Sequence, residues 1–162
     1  MGPRRTTVLV LVAAAATVGI YGSAFALSTT DDRPDHLDVD PVSSTASAAC
    51  ASLRADLDAL PPLAPGAPPA ERLDRLAVQD RAVRALVTTV RGVGQEALDA
   101  DAPAEDWLAD WERLAAARRA YAEAGAQGPF SQPVVDGRPL SDRMSGVGLD
   151  ACRVPASLTA AP

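Results

Sequence analysis

From Thr6 to Leu27 the chain carries no charged residue (TTVLVLVAAAATVGIYGSAFAL), and Arg4 and Arg5 stand just before that run. About 20 apolar residues suffice to cross a bilayer as a helix, and arginines ahead of such a segment hold its N-terminus in the cytoplasm. The pattern predicts that residues 1–27 form a membrane anchor or signal segment that exports everything after it. Ala24-Phe25-Ala26 satisfies the small-residue rule for signal-peptidase cleavage. The expected location is therefore the cell membrane, single-pass with the domain outside the cytoplasm, and the alternative is secretion after cleavage at Ala26.

Beyond Leu27 the pattern changes to dense acid with few apolar residues. Asp31, Asp32, Asp35, Asp38 and Asp40 crowd the stretch to Asp40, which cannot bury enough surface to offset its ordering entropy. Residues 28–43 are expected to be a disordered acidic linker. Helical spacing then takes over. Cys50, Leu53, Leu57 and Leu60 share one stripe of a first helix from near Ser44 to Leu60. Pro61-Pro62 stop it, and Pro61 to Pro69 reads as a stiff connector. A second helix begins at Pro69 to Glu71, with Leu73, Leu76, Val83, Leu86, Val87 and Val90 on its inner face. Gly92 and Gly94 weaken its end, and Ala97 and Leu98 extend the apolar pattern. A third begins at Asp101 to Pro103, carries Trp107, Trp111, Leu114 and Tyr121 on one stripe, and stops at Gly125. Gln127 to Pro139 reads as a long loop, and a short fourth helix runs from Ser141 towards Val147, stopped by Gly148. The fold class is all-α: a small antiparallel helical bundle over residues 44–155, with a disordered tail at 156–162.

Composition supports helix over strand, because the apolar 48% of the 162 residues is rich in alanine and poor in Ile, Phe and Tyr. All 15 basic residues are arginine, and the chain has no Lys and no Asn, a bias of the kind a GC-rich genome imposes. Arginine at a given position is therefore not evidence of selection over lysine. A net charge of −6 argues against nucleic acid, whose binding depends on neutralising phosphates.

Two features carry structural weight. Cys50 and Cys152 are the only cysteines, and in an exported chain two cysteines are expected to be bridged. Such a bridge closes a loop of roughly 100 residues, for which chain entropy predicts about 4.7 kcal/mol. Asp80 interrupts the inner face of the second helix, where an unpaired carboxylate is costly. An antiparallel hairpin turning near residue 100 sets residue 80 opposite 120, so Arg118 or Tyr121 is expected to satisfy Asp80. The alternative is a rotation of the helix that gives Asp80 to water.

The other chemistry-bearing residues favour plain readings. His36 is the only histidine and lies in the linker; without a second one there is no Ser-His-Asp or Cys-His mechanism and no convergent metal set. Asp38 and Asp40 begin a calcium-loop spacing that Val42 and Ser43 break. Glu105, Asp106, Asp110 and Glu112 are the one group of acids that a carboxylate enzyme would use, although acids at a helix start more simply complement its dipole. Trp107 and Trp111, four apart on an apolar stripe, read as core. No catalytic residue, metal ligand or cofactor is expected. The leading function is a membrane-tethered extracytoplasmic interaction or structural domain with an unidentified protein partner. The alternative is an exported small-molecule or lipid-binding domain with its pocket between the bundle and the Gln127–Pro139 loop. A carboxylate-dependent enzyme ranks lowest.

Overall fold

A computed structural model describes residues 36–162, so the expected anchor at 1–27 and the first half of the linker lie outside the described residues. Within them the protein is mostly helical. Helix α1 spans Val42–Asp58, α2 Pro69–Arg91, α3 Gln95–Ala100 and α4 Ala104–Glu123. A two-stranded antiparallel ribbon follows, β1 Val134–Val135 against β2 Arg138–Pro139. Then come α5 Leu140–Ser145, a 3-10 turn at Asp150–Cys152 and α6 Ala156–Thr159. Among the described residues no helix is long and apolar enough to cross a membrane.

Helix α1 packs on α2, α2 on α4, and the 3-10 turn returns to α1. Val42, Ala46, Ala49, Cys50, Leu53 and Leu57 form the buried stripe of α1, and Val83, Leu86, Val87 and Val90 that of α2. Trp107, Leu108, Trp111 and Leu114 fill the centre from α4, and the small Ala46, Ala49 and Ala104 are buried in the same core. The two indoles meet edge to face, with ring centroids 6.1 Å apart and planes at 89°, an arrangement that aromatic quadrupoles favour.

Helix ends follow local chemistry. Asp40 Oδ1 accepts from Ser43 Oγ at 2.9 Å and from the Ser44 amide at 3.3 Å, which serves that otherwise unpaired amide in the first turn of α1. Gly94, at φ 96°, breaks the chain out of helical geometry. The apolar Ala97 and Leu98 therefore belong to a separate helix, not to an extension of α2. Helix α4 ends in a Schellman motif: the Ala126 amide donates to the Tyr121 carbonyl at 2.9 Å, around Gly125.

Both chain ends of the domain depart from expectation. The linker was expected to reach residue 43, yet Leu37 is buried and its amide donates to the Val147 carbonyl at 3.0 Å. The Val39 amide donates to Asp101 Oδ2 at 3.2 Å. One apolar side chain among acids is enough to anchor a strap once a pocket exists for it. The tail expected to be disordered at 156–162 contains α6, whose Leu158 is fully buried. The expected loop at Gln127–Pro139 holds the β-ribbon, with a turn at Asp136-Gly137, both at positive φ. The short helix after it ends at Ser145 rather than Val147. His36 is exposed and its ring lies on Gly148, where an added Cβ would meet His36 Cγ at 2.8 Å. Gly148 thus allows the strap its close approach.

Candidate functional site

The seam between α2 and α4 holds the densest polar chemistry of the domain. Arg118 is completely buried, and its Nε donates to Asp80 Oδ1 at 3.1 Å. Its Nη1 donates to the Leu158 carbonyl at 2.8 Å, and its Nη2 to Gln79 Oε1. Phe130 covers the guanidinium, with its ring centroid 5.9 Å from Arg118 Cζ, a cation–π distance. Burial lowers the pKa of Arg118, and the hydrogen bond and charge of Asp80 oppose that shift. A buried charge with partners on most of its donors is tolerable, whereas the same charge alone is not.

Tyr121, the other candidate for Asp80, is not part of this network. Its hydroxyl donates to the Gly128 carbonyl at 2.7 Å, and its ring lies 5.5 Å from that of Phe130. It holds the start of the long loop against α4. Cys50 and Cys152 are disulfide-bonded, with their Cα atoms 5.0 Å apart, and both are buried.

The acids of α4 are bound to arginines of α2, α5 and α4 itself. Arg91 Nη1 lies 3.1 Å from Glu105 Oε2 and its Nη2 3.1 Å from Glu112 Oε1. Burial works against the Arg91 charge, but the hydrogen bonds and charges of Glu112 and Glu105 outweigh it and raise the pKa. Asp110 is buried and receives Arg113 Nη1 and Arg143 Nε, each at 2.6 Å. Arg143 thereby joins α5 to α4. The sequence reading gave Asp110 to the dipole of the helix start, although it stands three residues from Trp107 and four from Leu114, at the edge of the apolar stripe. Asp101 is also buried, and its pKa is raised chiefly by burial, then by the nearby charge of Asp38, against the amide of Val39. Among the described residues no group of acids, histidines and cysteines is arranged to hold a metal ion. Asp38 and Asp40 point to other tasks, Asp40 at the start of α1 and Asp38 beside Asp101. Trp107 and Trp111 are buried core residues, and their indole nitrogens have no hydrogen-bond partner among the described residues.

A cleft of about 250 Å³ opens on the outer side of the same seam, lined by Leu73, Ala77, Asp80, Arg81, Arg84, Arg119 and Ala122. Its lining includes no residue of the Gln127–Pro139 loop. Asp80 therefore has two neighbourhoods: the buried Arg118 network inside and this cleft outside. No protein-family model, no curated protein and no solved structure matches the chain.

Proposed function

We propose that the chain is a non-catalytic binding module that works outside the cytoplasm, tethered to the membrane by residues 1–27 and closed by its disulfide. The observation that carries this reading is the bond between Cys50 and Cys152. A buried disulfide joining the first helix to the end of a small domain suits an oxidising compartment and is rare in the cytosol. The uncharged run Thr6–Leu27 behind Arg4 and Arg5 is the matching export signal. The carboxylate enzyme is disfavoured because Glu105, Asp110 and Glu112 are engaged by Arg91 and Arg143, which tie other helices to α4.

The test is fractionation of cells expressing the full chain, followed by a non-reducing peptide map of the membrane fraction. The expected result is membrane-bound protein, cleavable from outside by protease, with Cys50 and Cys152 in one linked peptide pair. Two free thiols, or protection from external protease, would overturn the reading. N-terminal sequencing that begins at Leu27 would overturn the tether and leave export standing.

A further inference from the structure

The cleft beside Asp80 concentrates positive charge. Arg81 and Arg84 lie three residues apart on α2, and Arg119 faces them from α4. All three are exposed, and none has a hydrogen-bond or ion-pair partner among the described residues. Most other arginines of the domain are committed: Arg54, Arg72 and Arg75 to carbonyls, and Arg91, Arg113 and Arg143 to carboxylates. Of the uncommitted ones only Arg138 lies away from the cleft. Like charges one turn apart on a helix destabilise it. A genomic bias towards arginine accounts for the residue type but not for three unpaired cations meeting in a chain of net charge −6.

The floor of the cleft narrows the ligand class. Asp80 lines it, and only its Oδ1 has a partner among the described residues, so the carboxylate keeps acceptor capacity on the cleft side. A bare anion would meet that carboxylate unfavourably. A phosphate ester that also carries a hydroxyl would place its O–H as donor to Asp80 and its phosphate oxygens among the three guanidinium groups, which suit phosphate geometry. Leu73, Ala77 and Ala122 supply an apolar wall for the carbon skeleton. A cleft of about 250 Å³ is below the usual range for enclosing a whole drug-sized ligand, so it suits a head group whose remainder projects outwards.

We propose that this cleft binds a polyol phosphate, free or as the headgroup of an anionic phospholipid. The inference deepens the reading of the domain as a binding module. Its failure is distinguishable from failure of the export reading, because binding of the free compound requires neither the compartment nor the tether.

The experiment is calorimetric titration of the full chain, in polyoxyethylene detergent, with glycerol 3-phosphate, inorganic phosphate, glycerol and an acidic peptide. Glycerol 3-phosphate is expected to bind more tightly than phosphate, and glycerol not at all. Arg84→Gln and Arg119→Gln are each expected to weaken binding by about tenfold, in line with the loss of one hydrogen bond to a charged group. Arg138→Gln is the control and is expected to change nothing. The three variants should melt with the wild type in the absence of ligand, since these side chains hold no partner in the fold. A second arm adds phosphatidylglycerol or phosphatidylcholine to the micelles. Competition by phosphatidylglycerol alone identifies a lipid headgroup as the source, and no competition identifies a free ester; both outcomes support the site. Equal binding of phosphate and glycerol 3-phosphate, binding unchanged in both cleft variants, or preference for the acidic peptide would overturn the proposal.

Discussion

Arg118 Nη1 donates to the carbonyl oxygen of Leu158 at 2.8 Å, so a side chain in the middle of α4 holds the last helical turn of the domain. The same guanidinium holds Asp80 and Gln79 of α2. Three segments remote in sequence meet on one buried cation, and Leu158 seals it with an apolar side chain that is itself fully buried.

Removing that cation alone should be costly. Arg118→Leu strands Asp80 in a buried site, and the expected loss of unfolding free energy is about 3–5 kcal/mol. Changing Asp80 and Arg118 together to Leu should cost clearly less than Arg118→Leu alone, because no charge is then stranded. Urea denaturation of the two single variants and the double variant measures the coupling; additive effects would refute the pairing.

The end of the chain is expected to contribute to stability directly. Leu158→Ala removes a fully buried side chain and should cost about 2–5 kcal/mol. A chain ending at Pro155 should lose at least as much, since Arg118 then loses its carbonyl partner as well. Equal urea midpoints for this truncated chain and the wild type would contradict the docking of α6.

Replacing Cys50 and Cys152 together by Ala should lower stability by about 2–5 kcal/mol, the usual effect of losing a native disulfide from a small domain. The prediction is read from the denaturation midpoint of the double variant beside that of the oxidised wild type. Reductant should shift the wild type towards the variant and leave the variant unchanged.

Two carboxylates are expected to give opposite trends with pH. Asp101 has a pKa raised above 3.8, chiefly by burial, so the folded state holds its proton more tightly than the unfolded state. Its ionisation weakens the fold at neutral pH, and that penalty disappears as pH falls from the raised pKa to below 3.8. Asp40 has a pKa lowered by hydrogen bonds from Ser44 and Ser43, so its stabilisation is present above 3.8 and is lost as pH falls through the lowered value. Relative to Asp101→Asn the wild type should therefore gain stability on acidification, and relative to Asp40→Ala it should lose it. Thermal melts from pH 7 to pH 3 test both signs; parallel trends would refute the assignment.

How much of the site was legible depends on sequence distance. Asp80 stood out because it breaks a 3.6-residue apolar stripe, and the hairpin register brought it within reach of Arg118. The cross-links Asp80–Arg118 and Arg91–Glu112 follow that antiparallel register. Gln79 and the Leu158 carbonyl carried no such signal, since a polar residue beside the stripe and a backbone oxygen look like any others. The cleft was equally illegible: Arg81 and Arg84 lie far from Arg119 along the chain, and only the packing of α2 on α4 sets the three around one opening.

The sequence by itself determined the helical class, the stops at Pro61-Pro62 and Gly125, and the cysteine partnership. Periodicity, proline and glycine act over a few residues, and two cysteines allow a single intramolecular pairing. Only the tertiary structure decided the fate of Leu37, Asp101, Asp110 and Leu158. Each is an apolar residue in a segment of acids or small residues, or an acid among acids. Its burial depends on a pocket or an arginine supplied by a segment far along the chain. Local pattern encodes which face a residue prefers. Whether another element arrives to cover it, as α6 covers Arg118 and the 37–39 strap covers Asp101, is decided by the packing of the whole domain.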